Sequence, residues 1–332
     1  MRSRTRSSLV AVTVLGCLLT TACSSSIPSV PPSDGAGASS GAYPKTVKSC
    51  DEQLTFTKSP EKVLIMDDTD LSILAEMDLL DKVVGRSGKL RTAPYDESTL
   101  TRIKKIPEIA SSVLDSGGTQ VATETVIASG ADLVIGFDAG IDRDALRKAG
   151  IPVYAPVSFC PDLNPEKAAF ELVNNEITKV ADIFGVPEKG RELTERMNSR
   201  IGGLTKEVRT RGSVAVLYVM PGSRSFYAYG RSSMVQPIVE VNGFTNVYGQ
   251  DPQRVFDGSM EDLLAKNPDH LILLYGEGKS EEAEPTLMSF QGAEKLSAVV
   301  NKKVITMAYS LTDPPTPNSV KGATVLDELA RR

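Results

Sequence analysis

Short runs of β-branched and other apolar residues alternate with stretches of helical spacing along most of this 332-residue chain, and they do so in two sets. The run 62–66 is apolar from Val63 through Met66 without a polar residue at alternate positions. Strands that read this way are buried on both faces, as in parallel sheets. Leu71 to Leu80 follows with helical spacing. Strands are expected again at 82–85, 132–136 and 151–155, with a helix from Asp142 to Ala149 between the last two. Ahead of them, Val47 to Thr57 reads as a hairpin or edge ribbon that contains Cys50. The second set has strands at 214–219, 270–275 and 303–307, and helices at 234–241 and 320–332. Short strands alternating with helices predict doubly wound parallel sheets.

Between the sets, Phe170, Val173, Ile177, Val180, Ala181 and Phe184 recur at gaps of three and four, which places them on one helical face. Gly185-Val186-Pro187 then breaks that helix, and a second helix is expected to run to about Val208. The expected fold is therefore α/β: two doubly wound α/β lobes bridged by one long helix, with a ligand cleft between the lobes. The boundaries this implies are 44–164 for the first lobe, 165–187 for the linker helix and 188–332 for the second lobe. Residues 123–135 (TETVIASGADLVI) are echoed by 260–272 (MEDLLAKNPDHLI), with Glu124 matching Glu261 and Asp132 matching Asp269. The echo predicts equivalent elements at equivalent places in the two lobes.

The first 22 residues read as a signal peptide. Arg2, Arg4 and Arg6 form a basic start, and the apolar run from Leu9 to Thr20 is too short to span a bilayer comfortably. Leu19-Thr20-Thr21-Ala22-Cys23 is similar to a bacterial lipobox, which makes Cys23 the expected lipidation site; a plain secretory signal with an incidental cysteine is the alternative. Residues 23–43 are dominated by Ser, Gly, Ala and Pro, the composition of a flexible tether. The expected location is the extracytoplasmic face of the cell membrane, reached through the lipid anchor. In that oxidising compartment Cys50 and Cys160, the two cysteines left beyond the anchor, are expected to pair, with two free thiols as the alternative.

The net charge of -5 argues against a nucleic-acid partner, which normally meets a basic face. His270 is the one histidine, so a bare zinc or manganese site and His-ligated haem are both disfavoured. No direct metal site and no resident cofactor are expected. An enzyme is not expected either: no G-x-S-x-G elbow and no GxxxxGK[ST] loop is present. Asp67, Asp68 and Asp70 could serve a hard cation, but Asp70 directly before Leu71 reads more naturally as a helix N-cap.

Ser59-Pro60-Glu61-Lys62-Val63-Leu64-Ile65, then Ile73 to Gly85 (ILAEMDLLDKVVG), resembles the opening of the iron-siderophore and cobalamin substrate-binding proteins of ABC transporters, with Met77-Asp78 where that family usually has Leu-Gly. Asn242 to Tyr248 (NGFTNVY) is similar to a later family motif, and the placement of Cys50 and Cys160 resembles an actinobacterial branch. The resemblance runs from residue 44 to about 325. It implies a carrier, a monomer, that binds a ferric siderophore between two lobes with little hinge motion. It also implies docking onto an ABC permease through one glutamate per lobe, by matched position Glu124 and Glu261. A cobalamin or haem carrier, or a surface sensor that does not transport, would use the same fold.

In open α/β sheets ligands sit beyond the carboxyl ends of strands. That rule selects Arg86, Arg91 and Phe137 in the first lobe, and Arg224, Tyr227, Tyr229, Arg231, Tyr275 and Tyr309 in the second. Aromatics interspersed with arginines suit a bulky, oxygen-rich chelate.

Overall fold

A computed structural model describes residues 43–109, 112–113, 119–136, 140–160, 165–206, 210–223, 225–276, 278 and 280–331. The signal, Cys23 and the tether up to residue 42 lie outside the described residues, as do Phe137 and Arg224. All described residues belong to one compact unit, Ser39–Arg332.

The chain opens with a hairpin, β1 (Lys45–Ser49) and β2 (Glu52–Phe56). Its turn is made at Cys50, which takes φ 54°. The first sheet follows: β3 (Val63–Ile65), β4 (Val83–Arg86), β7 (Leu133–Ile135) and β8 (Val153–Tyr154), parallel in the order β4-β3-β7-β8. A short pair, β5 (Ser112–Val113) and β6 (Thr119–Gln120), lies outside it. The intervening helices are α1 (Leu71–Glu76), α2 (Glu97–Lys104), α3 (Thr123–Ala128) and α4 (Arg143–Lys148). Both faces of the sheet are covered, as the unbroken apolar strands require: Val63 and Ile65 enter one core cluster, Leu64 and Met66 another.

Next come α5 (Glu171–Phe184) and α6 (Pro187–Thr205). The stripe Val173, Ile177, Val180, Ala181 and Phe184 is buried. α5 begins six residues later than Pro165, where its spacing starts. The preceding segment is instead tied to the second lobe: Ala168 N–H donates to the Arg231 carbonyl (2.8 Å), and Ser232 Oγ to the Pro165 carbonyl (2.6 Å). Gly185 ends α5 at φ 64°, and a Cβ there would lie 2.8 Å from the Tyr43 ring. Conformation and space both demand glycine. Pro187 then opens α6 in the first-turn position it favours.

The second sheet contains β9 (Gly212–Val219), β10 (Phe226–Tyr229), β11 (Phe244–Asn246), β12 (Val255–Gly258), β13 (His270–Tyr275) and β14 (Val304–Ala308). Its order is β12-β10-β9-β13-β14, with β11 parallel to β9. β13 and β14 run parallel to β9, whereas β10 is antiparallel to both β9 and β12. The helices are α7 (Val235–Val241), α8 (Met260–Lys266), α9 (Ser280–Met288), α10 (Ser297–Val300) and α11 (Pro317–Leu329). Val214 and Val216 face one cluster while Ala215 and Leu217 face the other. Among the described residues no helix is long and apolar enough to cross a membrane.

The two sheets do not stand apart. Met234 and Val320 of the second lobe belong to the core cluster of the first, and Lys321 Nζ donates to the Pro94 carbonyl. Cys50 and Cys160 are joined, 110 residues apart in sequence, which pins the opening hairpin to the loop after β8. The expected side-chain cap at Asp70 is not formed. Its backbone carbonyl accepts from Ile73 and Leu74, while its carboxylate turns into the core, both oxygens without a hydrogen-bond partner. The site is fully buried and faces Glu176, so the side chain is committed inward before it can cap.

Candidate functional site

The carboxyl ends of β3 and β4 place Asp67, Asp68 and the segment leading to Arg91 at one edge of the first lobe. β7 ends in Gly136 at φ 120°, where a Cβ would lie 2.8 Å from Asp67 Oδ2 and 2.9 Å from Met66 Cβ. Asp67 accepts from Thr69 N–H (2.7 Å), and burial raises its carboxyl above the usual range. Asp68, 8 % exposed, accepts from the Arg91 backbone N–H (2.6 Å) and from Arg91 Nε (2.5 Å). Burial acts to lower the Arg91 guanidinium, but the Asp68 carboxylate more than offsets this and holds it charged. The three acids therefore do not converge on a cation: one pairs with arginine, one with a backbone amide, and one points into the core. Among the described residues no cluster of three or more His, Cys, Asp or Glu could hold a metal ion.

The second lobe supplies a matching pair. Asp313, 1 % exposed, accepts from Arg254 Nε (2.6 Å) and from Met234 N–H (3.3 Å). Arg254 Nη1 reaches the Ser158 carbonyl of the first lobe at 3.5 Å. Tyr309, at the end of β14, feels Asp313, Arg254 and Arg91 together. Burial, helped by Asp313, pushes its phenol up to about 12, so it remains a hydroxyl donor at neutral pH. The Tyr309 ring meets Tyr218 edge to face, with centroids 5.4 Å apart. Tyr227 is the cross-strand partner of Tyr218 and is 37 % exposed. Tyr275, at the last position of β13, packs against the same cluster. A tyrosine wall thus stands where the second sheet's parallel strands end, with one arginine–aspartate pair on each side of the lobe junction.

The remaining strand-end residues are placed differently. Arg86 Nη2 pairs with Glu108 at 3.2 Å. Arg231 donates to the carbonyls of Glu166 (2.7 Å) and Gln250 (2.6 Å). Tyr229 is 2 % exposed and lies beneath the cluster rather than at its surface. His270 begins β13, at the opposite end of the sheet from Tyr275, and packs edge to face on Phe244. Glu124 and Glu261 are exposed in the first turns of α3 and α8. A groove of about 540 Å³ opens beside the junction, lined by Ser72, Tyr95, Arg200, Asn318 and Lys321 among others. Tyr95 also feels Asp68 and Arg91, so it stands between the groove and that pair.

Arg254 and Asp313 escape the strand-end rule. Arg254 precedes β12, which is not one of the parallel strands, and Asp313 lies beyond the turn that follows β14.

A family model described as "Periplasmic binding protein" matches residues 63–310. The chain is 21% identical over 295 residues to an uncharacterized ABC transporter substrate-binding lipoprotein of Bacillus subtilis, covering 86% of this chain and 85% of that one. It is similar to a solved ABC-type Fe3+-hydroxamate transport system from Saccharomonospora viridis: 32% identity, TM-score 0.78, with 86% of this chain and 99% of that one covered. A periplasmic binding protein from Veillonella parvula shares the fold at 18% identity and TM-score 0.72, with 86% and 97% covered.

Proposed function

The chain belongs to the periplasmic binding protein family, and from that we propose that it binds a ferric siderophore outside the membrane and delivers it to an ABC importer. The observation that carries this reading is the lobe junction itself. Arg91 and Arg254 approach from opposite lobes and flank Tyr309, with Tyr218 and Tyr227 extending the wall. Guanidinium and phenol donors around an aromatic surface suit the oxygen-rich shell of a chelated metal, whose apolar parts stack on the rings. The likeness to the Fe3+-hydroxamate protein supports the same ligand chemistry. The function is binding and release, without turnover.

We assign the lobes to 44–164 and 188–332 with 165–187 between them, and lipid anchoring to Cys23, in keeping with the lipoprotein named among the relatives. Glu124 and Glu261 are the proposed docking points for the permease. Both are exposed and open the two echoed helices, where single negative charges can steer an approach to basic sockets.

Titration of intrinsic tyrosine fluorescence with ferric siderophores, haem and cobalamin tests the reading. One ferric chelate is expected to saturate at about micromolar concentration or tighter, roughly -8 kcal/mol. Saturation by cobalamin or haem alone would replace the ligand, and silence toward all of them would remove the carrier. Glu124→Ala with Glu261→Ala is expected to leave that titration unchanged while uptake by whole cells is lost.

A further inference from the structure

We propose that the junction selects its chelate by charge, accepting an uncharged ferric complex and discriminating against a trianionic one, and that Asp68 and Asp313 set this preference. The inference rests on the reading of the junction as a chelate site. Three hydroxamates around Fe3+ give a complex of zero charge. Three catecholates, each a dianion, give one of three negative charges.

Each arginine at the junction already has its counter-ion. Asp68 holds Arg91 through Nε and the backbone amide, and Asp313 holds Arg254 through Nε. Both aspartates belong to the same lobe as their arginine and both are buried, so a ligand entering between the lobes cannot displace them into water. Arg86, at the end of β4, is matched in the same way by Glu108. Asp67 adds a further carboxyl beside Arg91. Lys89, exposed in the loop between β4 and Arg91, is a cation with no ion-pair partner among the described residues. With Arg231, which meets only backbone carbonyls, the described groups around the strand ends sum to about one positive charge, far short of what a trianion needs.

A trianion placed there would lose its hydration and find at most the charges of Lys89 and Arg231 uncompensated against its three, a cost that hydrogen bonds alone do not offset. An uncharged chelate asks for less: donors to its carbonyl and hydroxamate oxygens, and apolar faces against its backbone. The outward edges of Arg91 and Arg254, and the hydroxyls and rings of Tyr218, Tyr227 and Tyr309, supply both. The aspartates orient the arginines as donors while cancelling their charge.

The test compares dissociation constants of the full chain for uncharged trihydroxamates (ferrichrome, ferric coprogen) and trianionic tris-catecholates (ferric enterobactin, ferric bacillibactin). Calorimetry at two salt concentrations provides the readout. The best uncharged chelate is expected to bind roughly a hundredfold or more tighter than the best trianion. Asp68→Asn and Asp313→Asn, checked for folding by circular dichroism, are expected to narrow that ratio by about tenfold or more, through tighter binding of the trianion. Equal or tighter binding of a catecholate by the unmodified chain overturns charge selection, and that comparison does not depend on the variants folding. A ratio that folded Asn variants leave unchanged overturns the role of the two aspartates. Binding of no chelate from either class defeats the carrier reading itself, and is told apart by the flat titration.

Discussion

Asp70 and Glu176 are fully buried where the start of α1 meets α5, with Tyr154 donating its hydroxyl to Glu176 and Lys179 3.6 Å from the same carboxylate. Burial lifts the Asp70 carboxyl well above the ordinary carboxylate range, and the facing Glu176 lifts it further. Burial raises Glu176 too, against the pull of Lys179. The sign follows from proton binding: above about pH 4 the unfolded chain releases protons that the folded chain still holds. This pair therefore contributes full stability below that pH and loses it as the pH rises through the folded-state values. Asp70→Asn, neutral at every pH, is expected to flatten that decline. It should raise the Tm at pH 8 by roughly 2–4 °C, the shift that about 1 kcal/mol gives a chain of this size. A Tm lowered equally at pH 5 and pH 8 would contradict the account. Nothing in the sequence distinguishes this aspartate from a cap, because the choice depends on α5, a hundred residues away. Arg91 illustrates the same limit: the strand-end rule finds it, but its partner Asp68 is hidden inside an acidic run.

At the scale of elements, the echo between 123–135 and 260–272 has a physical meaning that the sequence states only as similarity. Asp132, just ahead of β7, accepts from the backbone N–H groups of Glu61 and Lys62 at the entrance to β3 (2.8–3.1 Å). Asp269, just ahead of β13, accepts from Ser213 N–H and Oγ near the entrance to β9 (2.8 Å each). Each aspartate thus clamps the start of the parallel neighbour, and those hydrogen bonds hold the Asp269 carboxyl below its usual range. Asp132→Ala is expected to cost about 1–3 kcal/mol in urea unfolding, the usual worth of hydrogen bonds to a charged acceptor. Asp269→Ala should shift the midpoint in the same direction. The parallel strands themselves were legible because burial on both faces leaves continuous apolar runs. β10 and β12 were not. β12 alternates exposed and half-buried residues without an apolar face, and β10 is only four residues, Phe-Tyr-Ala-Tyr, inside what reads as a loop. Arg254 directly precedes β12 and escaped with it, whereas Tyr227, on β10, was selected as part of a loop and lies on a strand.

Across the whole molecule, the lobes are held by several independent ties. α11 packs on α6 and on α1, Lys321 reaches Pro94, Arg254 reaches Ser158, and α5 packs against α6 and β1. Hinge closure usually needs a few residues free to absorb large backbone changes. Here the segment before α5 is bonded into the second lobe, and the break at Gly185 lies against Tyr43. Small-angle scattering with and without a saturating chelate is therefore expected to differ by less than about 1 Å in radius of gyration. A larger contraction would mean that these ties open. Met234 and Val320 have a consequence of another kind, since they complete a core whose other members lie between residues 47 and 197. Synthesis delivers a chain in order, front end first. The leading module must therefore wait, with part of its interior open, until Met234 and then Val320 arrive to close it.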